Sequence, residues 1–524
     1  MSPIYDAIVI GAGHNGLVTA AFLARAGNRV LVLERRENIG GAAGTEEIYP
    51  GFYFNTGAHN AGLFRTEIIK ALDLDLDFIE GPAILTALKT DGPALTIWRD
   101  PTETAHELRD LSSADADAYI EFSEYVSRLV EVLDGMMLQT PPDLSNLKIR
   151  ALFPWLKLAL KVRRMGRRGM MELMRVLPMS ITDLLDNWFE SDLLKGALGT
   201  RGIIGTMQGP RASGTALMYF YGLLGSIGNG VQALRFMRGG MGRLPAALAS
   251  VAKHHGAVIQ TGAGVERILI DQGVARGVAL ASGEEIRATT IVSSAEPRHT
   301  LFELVGAHHL PVRIVRRLKN LRLRGSTARV NLALRAMPRF TGIADDSGRL
   351  SGHILVAPSL DYLEHAYDDA KYGKISAQPT LDILIPTILD PSLAPDGRHV
   401  MTINVQYAPY DLRDGDWDQQ KEILGERVMQ LLAKYAPGIR DLVLHKQVIT
   451  PLDLERDFGM TEGSIFHGQM AMDQMLFMRP VAGMSGYQTP IENLFLCGAG
   501  THPGGGVTGA PGYNAAREIL RLQR

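Results

Sequence analysis

Gly11, Gly13 and Gly16 stand in the spacing Gly-x-Gly-x-x-Gly between an apolar run and a helical pattern. The first glycine permits a tight turn, the second lets backbone approach a pyrophosphate, and the third lets a helix pack close to a strand. A helix beginning there faces the phosphates with free N–H groups and the positive end of its dipole. Glu34, with Arg35 beside it, follows 23 residues after Gly11, where a carboxylate accepts from the hydroxyls of an adenosine ribose. These residues meet only if the chain around them makes strand, helix and strand. Residues 7–10, a helix through Ala20 and Leu23, and residues 30–33 have the apolar patterns for it. The fingerprint alone serves NAD or FAD. Gly40 and Gly41, beginning six residues past Glu34, offer a second place for backbone to lie against a diphosphate, which an extended FAD uses and a short NAD crossover does not.

A second cluster lies far along the chain. After the apolar residues 494–496, the segment 498–512 holds seven glycines, too flexible to persist unless something fixes it. Pro511 suits the first turn of a helix running on through 515–522. The start of that helix would aim N–H groups at an anionic centre, such as the pyrimidine edge of a reduced flavin. Glycine makes up 56 of 524 residues, about 11% against a usual 7%. Its clustering points to backbone packed on a ligand.

With these motifs placed, the chain resembles a known flavoprotein group. Gly-Ala-Gly-Thr-His-Pro-Gly-Gly-Gly-Val, from Gly498, resembles the C-terminal signature of bacterial phytoene desaturases and flavin-dependent carotene ketolases. Gly-Gly-Ala-Ala-x-Thr-Glu-Glu-x-x-Pro-Gly-Phe, from Gly40, looks closer still to the pyridine nucleotide-disulfide oxidoreductase domain 2 proteins. A third match is Arg-Gly-Gly-Met-Gly-x-Leu-Pro at 238–245, followed by an apolar pair, Val258 and Ile259, and the run from Val265. The resemblance spans essentially the whole chain. It implies a glutathione-reductase-like, Rossmann-type α/β FAD-binding domain with an inserted α+β substrate or cap domain. Residues 1–90, 236–300 and 480–524 would form the first, 91–235 and 301–479 the second.

The resemblance further implies non-covalent FAD held by Gly11, Gly13, Gly16, Glu34, Arg35, Gly40, Gly41, Ala42, Val265, Gly498, Ala499, Gly500, Val507 and Gly512. It implies an enzyme that removes hydride from an apolar, isoprenoid or carotenoid-like substrate. Ala42 replaces an arginine that many members carry, and Ala499 or Gly500 replaces an acidic residue common in the last motif. His59 and His502 fall where the family places backbone near the isoalloxazine and are the candidate catalytic residues, with Arg65 a candidate partner for an anionic group. The same scaffold also oxidises amines and, without flavin, carries prenylated proteins in GDP-dissociation inhibitors. Both stay open as alternatives, with the intact glycine sites standing against the carrier.

Composition narrows the classes. Lys plus Arg is 54 and Asp plus Glu 56, a net −2 that excludes a generally basic nucleic-acid binder. Cys497 is the single cysteine, which excludes an intrachain disulfide, a redox pair and a thiolate metal cluster, and no metal-ligand spacing stands out. No second dinucleotide fingerprint is present, since Gly240/Gly242 and Gly262/Gly264 lack a third glycine. Electrons are therefore expected to leave for a quinone, oxygen or a protein. An apolar run from residue 7 leaves no room for a leader, and glycines and polar residues interrupt the long charge-free stretch 212–234. A cytoplasmic protein without a membrane-crossing helix is expected, either free or docked on a membrane surface. That contact would run through 148–175, which carries nine basic residues against one acid, interleaved with Trp155 and leucines. The pattern suits an interfacial helix or a solvated basic face. Strands are expected at 331–334, 354–356, 381–385 and 401–405, and a helix at 419–435. Methionines and aromatics at 218–221, 236–237 and 470–478 suit an apolar channel or ordinary core.

Overall fold

Tyr5–Ile10 and Val30–Leu33 are almost wholly apolar and buried on both faces, as strands in the middle of a covered parallel sheet must be. They pair in parallel, joined by the helix His14–Arg25. This computed structural model describes residues 5–142, 149–225, 234–343 and 348–523, without the side chains of 149–154. The seven-stranded sheet runs Val265–Asp271, Val274–Leu280, Glu285–Ser293, Tyr5–Ile10, Val30–Leu33, Val258–Gln260, with Leu494–Leu496 parallel to Glu285–Ser293. Strands near residues 5, 260, 290 and 495 thus share one sheet, which is discontinuous in sequence. Helices His14–Arg25, Arg243–His254 and Ala510–Leu522 pack together on one of its faces. Gly512 makes that approach possible, because a Cβ there would stand 2.2 Å from the Asn15 carbonyl oxygen. Thr19 Oγ1 donates to the Gly512 carbonyl across the contact at 3.0 Å.

The second sheet, also of seven strands, runs Val443–Ile449, Thr327–Leu334, His399–Gln406, Thr380–Leu384, His353–Val356, Ala83–Ala87, Leu95–Trp98. Ala83–Ala87 pairs with His353–Val356, so the cap sheet takes in residues ahead of the expected boundary at 90. Alternation along the strands separates two faces. Val330, Leu332, Ile354, Ile383, Ile403 and Val405 pack under the helix Trp417–Tyr435. The alternate positions carry Arg329, His353, Asp382, Asn404 and Gln406, and of these Arg329, His353, Asp382 and Gln406 are buried as well. A buried polar sheet face is unusual, since polar residues on a strand ordinarily face water. Here that face is the wall of the cavity described below.

The charge-free stretch folds as the buried helix Thr215–Gly222, with 226–233 outside the described residues. The basic segment forms the helices Ile149–Arg164 and Gly166–Val176, while Lys148 and the side chain of Arg150 lie outside what is described. Trp155 does not point outward as a bilayer anchor would. Its Nε1 donates to the Thr140 carbonyl at 2.9 Å. The exposed apolar side chains there are Leu156, Leu160, Met170, Met171 and Met174. Among the described residues no helix is long and apolar enough to cross a membrane.

Candidate active site

The glycine fingerprint folds as a set of close contacts with one opening. A Cβ on Gly11 would meet Ser294 Oγ at 2.4 Å, and one on Gly16 would stand 2.1 Å from the Gly11 carbonyl oxygen. Gly13 has nothing within 4 Å of where a Cβ would be, and it lines a cavity of about 860 Å³. It also caps His14–Arg25 without a side chain, which leaves the first-turn N–H groups without a side-chain acceptor. Glu34 Oε2 accepts from Ala12 N at 2.8 Å and Oε1 from Arg36 N at 3.0 Å, so its carboxylate is fixed beside the turn. Gly40 adopts φ +109°, donates to the Ala12 carbonyl at 2.9 Å, and packs where a Cβ would meet Pro245 Cγ at 2.9 Å. The glycine pair and the 238–245 motif therefore meet in space.

The cavity is lined at this end by Gly11, Gly13, Glu34, Arg35, Gly40, Gly41, Ala42 and Val265. His14 Nε2 and Asn15 Oδ1, from residues lining the same end, are buried without hydrogen-bond partners. Open backbone, a fixed carboxylate and unpartnered polar atoms fit a bound dinucleotide. A dinucleotide such as FAD would be held here by the open backbone at Gly13 and Gly41 and by the Glu34 carboxylate.

The second glycine cluster behaves differently. Ala499, Gly506 and Val507 line the cavity, but Gly498, Gly500 and Gly512 are not among its lining residues. A Cβ on Gly498 would meet Ser294 O at 2.2 Å, and on Gly500 Pro297 Cδ at 2.3 Å. At these positions, as at Gly16, a neighbouring protein group stands where a side chain would be. Arg479, 1% exposed, holds the loop by donating to the carbonyls of Ala499 at 2.8 Å and Phe466 at 2.6 Å. Cys497 is fully buried, and burial pushes its thiol up to about 12.

The two candidate histidines part company. His59 lines the cavity, and its Nε2 is buried without a partner. Burial, with Arg329 and His353 nearby, holds its pKa well below the usual histidine range. His502 is not among the lining residues: its Nε2 lies 3.1 Å from the Met136 carbonyl, and burial lowers its pKa to about 4. It is braced in the interior, and the structure does not bring it together with His59 at the cavity. Arg65 is also consumed internally, by Asp134 at 2.8 Å and Glu67 at 3.1 Å.

What sequence reasoning missed is the opposite wall. Arg201, Arg329, His353, Thr380, Asp382, Asn404 and Gln406 all line the cavity. Arg329 donates to the Asn55 carbonyl at 3.1 Å, to the Gly57 carbonyl and to Asn404 Oδ1 at 3.0 Å. It therefore ties the cap sheet to the segment carrying His59. His353 Nδ1 lies 2.6 Å from Asp382 Oδ1. Burial alone would raise the Asp382 carboxyl, but His353, Arg201 and Arg329 together hold it below the usual range. Burial brings the Arg329 guanidinium down to about 10 and lowers His353 against the opposing pull of Asp382. The missed signal was a polar residue inside a strongly apolar strand, as in Ala328-Arg329-Val330 and Leu381-Asp382-Ile383.

Residues 185–520 match the family of flavin containing amine oxidoreductases, and residues 9–70 match the NAD(P)-binding Rossmann-like domain. The chain is 37% identical to pyridine nucleotide-disulfide oxidoreductase domain-containing protein 2 of Rattus norvegicus, over 99% of this chain and 94% of that relative. It is 30% identical to a limonene dehydrogenase component from Castellaniella defragrans, over 98% of this chain and 94% of that relative. Among solved structures, cyclohexylamine oxidase from Brevibacterium oxydans shares the fold, with a TM-score of 0.58 at 16% identity over 100% of both chains.

Proposed function

The chain belongs to the flavin containing amine oxidoreductase family and is an FAD-dependent oxidoreductase, and from that premise we propose that it takes hydride from an activated C–H of a small molecule with an apolar, isoprenoid-like body. The observation that carries the reading is a single cavity lined both by the nucleotide glycines and by the cap sheet. When bound, FAD supplies the hydride acceptor and the onward route for electrons to a quinone, oxygen or a protein. Leu63, Ile203, Ile204, Ile465 and Phe466 line the same cavity and suit an apolar body. The relative named for limonene, a terpene hydrocarbon, supports that substrate class. With Nδ1 donating to Asp382, His353 keeps the lone pair on Nε2, which is buried without a partner. That nitrogen is the base able to take a substrate proton, and Asp382 fixes its orientation. His59, held neutral, adds a second acceptor or donor on the facing segment.

The test is anaerobic mixing of purified protein with a panel of polyenes, retinoids, acyl lipids and amines. Stoichiometric bleaching of the flavin by an apolar member supports the reading, whereas bleaching by amines alone moves the substrate to the amine class.

For the route of an apolar substrate we also propose docking of the helices Ile149–Arg164 and Gly166–Val176 on an anionic membrane surface. Exposed Lys157, Arg163, Arg164, Arg167 and Arg168 stand beside exposed Leu156, Leu160, Met171 and Met174. That mixture suits the boundary between headgroups and acyl chains.

A further inference from the structure

Arg201 reaches the cavity with two of its guanidinium nitrogens buried and unsatisfied. It sits on the turn Thr200–Gly202 and lines the cavity, and its Nε and Nη2 are buried with no hydrogen-bond partner. No ion pair is formed by its guanidinium among the described residues. Asp382 is the nearby carboxylate, but its Oδ1 is taken by His353 Nδ1 at 2.6 Å. Arg329 is different in kind, because three protein oxygens already accept from it. Guanidinium nitrogens buried without partners are costly, and proteins rarely tolerate them unless something else completes them.

The surroundings say what completes it. On the cap wall two cations, Arg201 and Arg329, face one carboxylate, Asp382, while His59 and His353 are held towards the neutral form. Around Arg201 itself, two guanidiniums therefore share one carboxylate. His353 Nε2 and Thr380 Oγ1, both from residues on this wall, also lack partners. The phosphates of a dinucleotide have their own cradle at Gly13 and Gly41, on the other wall. The charged and phenolic groups that act electrostatically on Arg201 are Asp382 and Tyr219, both on the cap side.

We propose that Arg201 docks an anionic head group of the substrate, a carboxylate, so that the substrate is an acid with an apolar body. A planar guanidinium offers paired N–H donors in the spacing of the two carboxylate oxygens. A guanidinium docking point repels a protonated amine, so amine head groups are disfavoured at Arg201 although the family takes its name from them. The proposal rests on the oxidoreductase reading only in taking this cavity as the substrate site.

The experiment is calorimetric titration of the FAD-loaded protein with geranate and with geraniol, which share an apolar body and differ in the head group. Wild type should bind geranate about tenfold to a hundredfold more tightly than geraniol, as a charge-assisted pair at a desolvated site requires. Arg201→Gln should remove that preference, and Arg201→Lys should keep part of it. FAD content, read from the visible spectrum, confirms that each variant is folded. Equal affinity of wild type for the two, no binding of either, or a geranate preference that survives in Arg201→Gln overturns the proposal. Flavin reduction is scored separately. Arg201-dependent geranate binding without reduction by any panel member leaves the anion site standing and removes the oxidoreductase substrate reading. Reduction by a neutral polyene that is indifferent to Arg201→Gln does the reverse.

Discussion

At the nucleotide end of the cavity the groups presented are glycine backbone and one fixed carboxylate, Glu34, whereas the cap end presents Arg201, Arg329, His353 and Asp382 from a turn and three strands. The first end is specified by what is absent: added atoms collide, as at Gly16, where a Cβ would lie 2.1 Å from a carbonyl oxygen. The second is specified by charge: shapes are tolerant there, but each ion depends on the others. Steric and electrostatic substitutions should therefore have opposite consequences at the two ends.

Gly16→Ala gives the largest effect. The methyl has backbone in its way, so the turn must open, and the purified variant should carry no FAD by visible absorbance. Retention of full FAD would mean that the turn is not the phosphate cradle.

Acid comes next. Burial holds His14, His467 and His502 neutral down to about 4, against an ordinary value of 6.5. Since the folded values are depressed, the unfolded chain binds more protons between pH 6.5 and 4. Stability is thus full above 6.5 and falls as the pH drops through that window, each histidine contributing up to about 1.4 kcal/mol per pH unit. Urea midpoints at pH 7.5 and 5 should separate clearly, and His502→Gln should narrow the gap by one share.

At the cap end, Asp382→Asn removes the single carboxylate from among two guanidiniums and a histidine. About 3 kcal/mol of stability should go, measured by urea unfolding, while FAD stays bound. Loss of FAD in that variant would erase the contrast between the two ends. Glu34→Ala should act conversely, lowering FAD affinity about tenfold to a hundredfold through lost charge-assisted hydrogen bonds. The smallest effect is peripheral. Reversing Arg163, Arg164, Arg167 and Arg168 should abolish sedimentation with anionic vesicles at low salt, since each cation contributes on the order of 1 kcal/mol near such a surface. Met171→Ser should weaken it less, and neither change should alter FAD content. Equal sedimentation of wild type and reversed protein would reduce the basic helices to a solvated face.

The same contrast explains what could be read from the residues alone. A backbone-built site is local: Gly11 to Glu34 is one strand–helix–strand unit, and the expected strands at 30–33 and 494–496 match the observed bounds. The cap strands were also legible, with 401–405 found as His399–Gln406 and 381–385 as Thr380–Leu384. Their side-chain constellation was not, because Arg201, Arg329, His353 and Asp382 come together only through strand order and register. His502 adjoins the flavin motif in sequence, but that its ring turns toward Met136 is set by the fold and not by the local residues. Nor does glycine count show that Gly498, Gly500 and Gly512 relieve protein–protein crowding, while Gly13 has open space where a Cβ would be.

The central claim is that the cofactor and the cap wall serve one reaction in one cavity. Anaerobic stopped-flow reduction of the flavin in wild type and His353→Asn, loaded equally with FAD and using whichever panel member bleaches wild type, tests it most directly. The account predicts that this compound is apolar in body and that the variant reduces about a hundredfold or more slowly, the contribution expected of a positioned base. Reduction at the same rate in both proteins would contradict it.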